Sequence, residues 1–262
     1  TAVCRTTDVT LAEFRTLRGK MDGFDPRART PQEFQRGTPG WRTDLYTGPG
    51  TGTLMSHRDS IELFKSLGVQ MTPELKSPVV PMPFEGFSQQ DYARKMIDEY
   101  RQAGVPPRDV WPQSFDRRDV LYWIEHSPEF GRQAVYLEDA ESVAELPSAA
   151  ELAGYKQQGI NIWAPAIFAL LQLDERNTIR PSQAARDARA AGLVIVTWSL
   201  ERSGVLGSGP PGFYYQTVAP ALSRQGDVMT VLDVLARQVG VRGVFSDWPA
   251  TTTYYANCVG LD

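Results

Sequence analysis

The sequence lacks the features that mark several large protein classes. Lys and Arg number 27 against 31 Asp and Glu, and this net charge of −4 argues against a nucleic-acid-binding protein. No apolar run approaches the about 20 residues that cross a bilayer, so no transmembrane segment is predicted. The start "TAVCRTTDVT" has neither the basic nor the apolar region of a secretory signal, although a signal already removed would leave no trace.

Cysteine and histidine are also scarce. The two cysteines, Cys4 and Cys258, are compatible with one disulfide, with pairing outside the chain, or with free thiols. They therefore do not fix the redox compartment. The two histidines, His57 and His126, are predicted at a helix start and near a helix end, as structural or exposed residues rather than catalytic ones. No Gly-rich phosphate loop follows any predicted strand, which disfavours a nucleotide-binding open sheet.

What the sequence does contain is a repeated pattern in which a helix-like segment ends in glycine and an apolar strand follows. Glycine suits the position after a helix because it accepts left-handed backbone angles. The six strands predicted in this way follow Gly68, Gly104, Gly131, Gly159, Gly192 and Gly240. Capping-box pairs open the intervening helices at Ser56 and Asp59, Ser88 and Asp91, and Ser148 and Glu151, and an earlier one at Thr10 and Glu13. Residues 88–104 and 227–240 are predicted amphipathic helices.

Alternating strands and helices predict a parallel α/β protein, either an open doubly wound sheet or a (β/α)8 TIM barrel. Polar or aromatic residues end most strands, as expected where strand ends converge on one mouth, so the barrel is favoured. We expect one domain over residues 1–262, with long loops at 20–53 and 201–226. The run Phe213–Tyr215 in the second loop predicts an ordered flap rather than a disordered insertion.

The stretch "MTPELKSP" (residues 71–78) places two opposite charges in a predicted strand. Side chains alternate between the faces of a strand, so Glu74 and Lys76 point the same way. Burial of such a pair is unfavourable unless a site uses both charges or they close the barrel as a simple ion pair. The position therefore marks Glu74 and Lys76 as candidate functional residues.

Several strand ends resemble the glycerophosphodiester phosphodiesterase family of barrel enzymes, part of the phosphatidylinositol-phospholipase-C-like superfamily. "TPELK" is similar to the glutamate-x-lysine strand of the family, and "PQSF" to its Ser-Phe strand end. "VTWSLE" is similar to its tryptophan-bearing strand, "GVFSDWP" to its closing strand, and "DVTLAEFRTL" to a short helix near its second strand unit. Together these segments cover about residues 5–19 and 54–256.

The chain departs from this family at its beginning. The His-Arg-Gly strand, the Glu-x-Asp strand and the His-Asp pair of the family have no counterpart, so the first one to two β/α units of a barrel are expected to be missing. A barrel without two strands exposes two sheet edges. We therefore expect the missing N-terminal fragment, or a self-partner, to cover the gap.

The resemblance also implies a site. Glu74 matches a carboxylate ligand of a divalent cation, Mg²⁺ or Ca²⁺, and Lys76 a catalytic cation that stabilises charge on the phosphate. Trp198 and Phe115 are expected to contact the substrate, the alternative being that they are core aromatics. Asp247 is expected to orient the lysine or a substrate hydroxyl, the alternative being that it caps the helix that follows.

The implied function is metal-dependent hydrolysis of glycerophosphodiesters to glycerol 3-phosphate and an alcohol, in lipid and glycerol metabolism. Because both catalytic histidines and two metal ligands of the family are missing, little or no activity is expected of this chain alone. The alternatives are a phospholipase of the sphingomyelinase-D type and a non-catalytic barrel. Family habit predicts a periplasmic or secreted location, with a small phosphodiester and no nucleic acid as partner.

Overall fold

The computed structural model describes residues 5–17, 27–30, 33, 53–204, 206–207, 209 and 212–261. Most of the loop predicted at 20–53, and Cys4, lie outside the described residues. Backbone contacts divide the chain into two compact units, Thr1–Ser66 and Leu67–Asp262. The single domain over 1–262 stays a prediction.

The first unit contains the short helix α1, Leu11–Phe14, and most of α2, His57–Leu67. The predicted capping box forms at α1, where Thr10 and Glu13 exchange hydrogen bonds. At α2, Asp59 accepts hydrogen bonds from the Ser56 hydroxyl at 2.7 Å and from its backbone N–H at 3.0 Å. These bonds, with the nearby Arg15 guanidinium, lower the pKa of Asp59 to about 2.

The second unit is built on a parallel sheet, which confirms the α/β prediction. Its strands lie in the order β1, β2, β3, β6 and β7. Their bounds are Gln113–Ser114, Val135–Leu137, Ile162–Ala164, Val194–Thr197 and Gly243–Val244. A sixth position, residues 70–76, pairs in parallel with the β1 region at Met71 with Val110 and at Glu74 with Gln113. We call residues 70–76 the edge segment.

Helices of the second unit follow the strands in the predicted alternation. They are α3 Gln89–Gln102, α4 Arg117–His126, α5 Pro128–Gly131, α6 Ala149–Gln157, α7 Ile167–Leu170, α8 Gln183–Ala190, α9 Val228–Asp233 and α10 Pro249–Val259. The predicted capping boxes open α3 and α6. The helix predicted over 227–240 is α9 followed by a π-helical stretch, Val234–Val239.

Five of the six predicted helix-ending glycines have the expected left-handed backbone, and Gly131 does not. Gly131 lies inside α5, where an added Cβ would stand 2.5 Å from the backbone of α4 at Trp123 and Ile124. Its missing side chain therefore allows two helices to approach closely, a role different from the predicted turn.

An antiparallel hairpin was not predicted from the sequence. Its strands β4, Leu171–Leu173, and β5, Ile179–Pro181, pair outside the main sheet. Asn177 in the connecting turn has a positive φ of 55°, which asparagine tolerates better than most residues. The hairpin lengthens the connection between β3 and β6 without adding to the parallel sheet.

One face of the sheet lines a cavity that both ends of the sheet border, and we call it the concave face; the sheet is not closed among the described residues. Val135, Leu137, Ile162 and Ala164 form its apolar core on that face. The edge segment and β7 are the two ends of the described sheet. Six parallel positions are thus present, and closure into an eight-stranded barrel stays a prediction.

Candidate functional site

Glu74 and Lys76 lie on the concave face, near the carboxyl end of the edge segment. Met71 and Leu75 are buried, while Gln70 and Thr72 line the concave cavity, so alternation directs residues 74 and 76 to the same side as 70 and 72. The Lys76 ammonium donates to Glu74 Oε1 at 2.8 Å. The Lys76 side chain is 79% exposed and that of Glu74 only 26%, so the lysine is the accessible partner. The predicted common direction is confirmed.

Phe115 and Trp198, the two predicted aromatic contacts, meet at the same end of the sheet. Their rings are 5.6 Å apart in a T-shaped arrangement, and both pack on the apolar core of the concave face. The indole N–H of Trp198 donates to the carbonyl of Ala164 at 2.9 Å, which fixes the ring. Both rings are only partly buried, so they form a wall rather than a sealed core.

Two further aromatic residues join this wall from the 201–226 loop. Phe213 stacks on Trp198 at 6.3 Å, and Tyr214 meets it edge-on at 5.8 Å. Tyr215 is buried, with its hydroxyl bonded to the carbonyl of Leu200. The described part of the loop is thus anchored, as the flap prediction requires. Phe213 and Tyr214 were not predicted as site residues. The aromatic run in the loop after a strand end could have indicated them.

Asp247 is paired with an arginine at the end of the last strand. Its carboxylate accepts hydrogen bonds from Arg202 at 3.0 and 3.1 Å. The residue that precedes α10 is Trp248, which makes no side-chain cap, and the ammonium of Lys76 bonds to Glu74. Asp247 therefore holds the guanidinium of Arg202 beside the last strand, and a direct contact with substrate stays a prediction.

Glu201 ties the end of the last strand to the loop after β6. It accepts from the Ser246 hydroxyl at 2.6 Å and from the backbone N–H of Asp247 at 2.8 Å. Burial raises the pKa of Glu201, and these hydrogen bonds oppose that rise. The carboxylate thus fixes the backbone on which Asp247 is placed.

Glu138 follows β2 and Trp163 lies within β3, and both face the helices. Neighbouring Tyr136 contacts Tyr155 of α6, which shows that this side of the sheet faces the helical layer. The indole N–H of Trp163 donates to Glu138 Oε2 at 3.2 Å, and both side chains are buried. Burial raises the pKa of Glu138, with the bond from Trp163 opposing it. These residues support the sheet rather than line the concave face.

Replacing Glu138 with glutamine is expected to flatten the pH dependence of stability. Because the folded pKa is raised, the contribution of Glu138 to stability is fully present below the unfolded pKa of about 4.3 and is lost as pH rises towards the folded pKa. Urea unfolding from about pH 4 to about pH 8 measures the free energy of unfolding of both proteins. The value for the variant, relative to that of the wild type, should increase as pH rises.

Glu151 provides a control of opposite sign. The backbone N–H and hydroxyl of Ser148 lower the pKa of this exposed carboxylate, so its contribution is lost as pH falls. The free energy of unfolding of Glu151→Gln, relative to that of the wild type, should therefore decrease as pH rises. A Glu138→Gln profile parallel to the wild type would contradict the burial of an ionisable group at this position.

The described residues do not by themselves fit the predicted metal. No three Asp, Glu, His or Cys side chains among them come together as ligands for one ion. Glu74 is one carboxylate whose described partner is Lys76. His126 stacks on Tyr122 at the end of α4, and His57 begins α2 in the first unit. Cys258 is exposed on α10 and forms no disulfide within the described part of the chain.

Comparison with solved structures identifies the fold. The crystal structure of a glycerophosphodiester phosphodiesterase from Parabacteroides distasonis aligns with a TM-score of 0.51 and 14% identity, over 81% of this chain and 68% of that one. A putative glycerophosphoryl diester phosphodiesterase from Silicibacter pomeroyi gives a TM-score of 0.42 and 15% identity, over 66% of this chain and 46% of that one. The first match shows that the chain shares the α/β fold of that enzyme.

Sequence comparison gives a much closer relative. No protein-family profile matches the chain. An extracellular protein from Arthroderma benhamiae is 47% identical over 246 residues, which cover 92% of this chain and 100% of the relative. The chain therefore belongs to the same protein family as this extracellular protein.

Proposed function

We propose that the protein is a phosphodiesterase-type hydrolase that acts on glycerophosphodiesters and releases glycerol 3-phosphate and an alcohol. The observation that carries this proposal is the position of Glu74 and Lys76 on the concave face of a sheet that shares its fold with a solved glycerophosphodiester phosphodiesterase. In parallel α/β proteins, ligands bind at the carboxyl ends of the strands. Phe115 and Trp198 belong to the same end.

Lys76 is the proposed phosphate contact. Its ammonium is mostly exposed and is held at 2.8 Å from Glu74, so its position is restrained while two of its protons remain available. A cation placed beside a phosphoryl group stabilises the negative charge that develops in the transition state. Glu74 moderates this charge until a phosphate binds.

The aromatic wall of Phe115, Trp198, Phe213 and Tyr214 is the proposed surface for the carbon skeleton of the substrate. Trp198 lies at its centre and contacts the other three rings. A ring face packs well against a glycerol backbone or an apolar alcohol and attracts a cationic one. The wall therefore orients the diester while Lys76 engages its phosphate.

A non-catalytic barrel that binds phosphodiesters is the second candidate. It is favoured by the lack of a three-ligand metal cluster and of a strand-end histidine among the described residues. Glu74 alone does not make an ion site. The assay therefore compares Mg²⁺, Ca²⁺ and no added metal. Turnover distinguishes the two candidates, because both require binding and only the first requires hydrolysis.

Glu74→Gln is the variant that tests the site. Glycerophosphocholine binding is measured by calorimetry, and release of glycerol 3-phosphate is measured with Mg²⁺, Ca²⁺ or chelator. Without metal, the variant should bind the diester several-fold more tightly, because the charge of Lys76 is no longer neutralised. Any metal-dependent turnover of the wild type should be abolished. Sphingomyelin in the same assay tests a substrate of the alternative phospholipase.

Glu62→Gln is the matched control, because Glu62 forms a comparable exposed pair with Lys65 at 3.1 Å in α2. It should leave binding and turnover unchanged. Metal-dependent turnover that survives Glu74→Gln would remove the assignment of Glu74. Diester binding with no turnover under any ion would leave the non-catalytic barrel as the function.

We also propose that the protein is secreted. The support is the relative from Arthroderma benhamiae, which is named an extracellular protein. Within the described residues, no helix has the length and apolarity needed to cross a membrane. Detection of the protein in the culture medium of its source, rather than in cell extracts, tests this location; a periplasmic location stays a prediction.

A further inference from the structure

We infer that the open side of the sheet is an acceptor site for an extended polypeptide strand. The N–H of Met71 donates to Asp109, its carbonyl accepts from Trp111, and the N–H of Leu75 donates to Gln113. Backbone groups of a strand alternate in direction, so those of residues 70, 72 and 74 point away from β1. No described residue donates to or accepts from them.

The two ends of the sheet border one cavity. It has a volume of about 510 Å³ and is lined by Gln70 and Thr72 of the edge segment, and by residues 242–246 at β7. Its floor is formed by the middle strands, through Gln113, Val135 and Val196. Gln70 and Thr72 are exposed although they lie on the concave face. No described residue of the second unit fills the cavity that lies between these two edges.

A buried amide points to what is missing there. Gln113 is only 5% exposed and lines the cavity, and its Oε1 has no hydrogen-bond partner among the described residues. A buried acceptor left without a donor is unfavourable. A ligand that donates a hydrogen bond to this oxygen would therefore bind more tightly than one without such a donor.

These features together specify a polypeptide strand rather than a compact molecule. The free groups of the edge segment recur every second residue, a spacing of about 6.6 Å that an added strand reproduces. Among the described residues that line the cavity, Arg242 is the one charged side chain, and it favours an acidic group in the occupant. We thus expect an extended segment with alternating β-branched residues, one acidic side chain and one donor aimed at Gln113.

The test uses the full chain and a displayed library of random sixteen-residue peptides. Selected peptides are expected to share the alternating pattern and an acidic residue. Hydrogen exchange should show that they protect the amides of Gln70, Thr72 and Glu74, which exchange rapidly in the free protein. No substrate is present, so the outcome is independent of the phosphodiesterase proposal.

Thr72 provides a matched pair of variants. Thr72→Pro removes the outward N–H and should weaken peptide binding about tenfold. Thr72→Val keeps that N–H but also loses the hydroxyl bond to Trp111, which is 3.2 Å long in the wild type. It should bind as the wild type does. Equal weakening by both variants would overturn the acceptor role of the backbone.

Gln113→Leu separates binding from folding. Removing an unsatisfied buried acceptor should leave the free chain as stable as the wild type or more so, while peptide binding weakens several-fold. The inference is overturned if selected peptides protect other amides. It is also overturned if the free protein already protects residues 70, 72 and 74, or if it self-associates through them.

Discussion

Replacing Gly131 with alanine is expected to lower the free energy of unfolding by about 3 kcal/mol, at the upper end of the usual range for overpacked cores. The new Cβ would lie 2.5 Å from Ile124 Cα and from the Trp123 carbonyl oxygen, and 2.6 Å from the Ile124 nitrogen. All three are backbone atoms of α4, so no rotamer change relieves the contact. The helices must move apart, and Trp123 of α4, which is fully buried and donates to the Ala93 carbonyl of α3, loses packing.

Gly154 is the control for this prediction. It lies inside α6, and an alanine Cβ there would meet nothing within 4 Å. Gly154→Ala should therefore raise the free energy of unfolding by about 0.5–1 kcal/mol, because alanine loses less backbone entropy than glycine in a helix. Urea unfolding at neutral pH measures both variants. Equal stabilities for the two would contradict the close approach of α4 and α5.

The parallel sheet was predictable because each strand carries a local signal. A capping pair opens a helix, a glycine ends it, and an apolar run follows, as at Ser88, Gly104 and Val110. Closure of the sheet has no such signal, because it depends on which segments meet across the whole chain. The same applies to Gly131, whose pattern matches a helix end but whose role is set by a neighbouring helix.

The site was predictable only in part, for a related reason. The common direction of Glu74 and Lys76 follows from strand alternation, which two residues suffice to establish. The pairing of Asp247 with Arg202 joins residues 45 positions apart, and no local pattern encodes it. Phe213 and Tyr214 reach Trp198 from a distant loop, which the buried Tyr215 helps to anchor.

Lys76→Ala is expected to lower any hydrolysis of glycerophosphodiesters about 100-fold or more, and their binding about tenfold. Removal of one group that stabilises transition-state charge typically lowers the rate about 100-fold or more. Binding decreases less, because the bound substrate loses only one charge-assisted hydrogen bond. Because the Lys76 side chain is 79% exposed, its removal should leave stability nearly unchanged. Calorimetric titration, steady-state kinetics and urea unfolding measure the three quantities.

Lys95 is a matched control for Lys76. It forms an ion pair of the same length, 2.8 Å, with Glu99 on α3, and its side chain is 58% exposed. Lys95→Ala should leave binding and hydrolysis of the diester unchanged. It removes the same charge as Lys76→Ala, so it shows whether a loss of binding comes from the net charge or from the position of Lys76. Lys76→Arg should retain much of the binding but less of the rate, since the guanidinium is broader than the ammonium and meets the phosphate differently. If Lys76→Ala and Lys95→Ala behave alike, Lys76 is a surface cation, and the phosphate is bound elsewhere on the sheet or by no described residue.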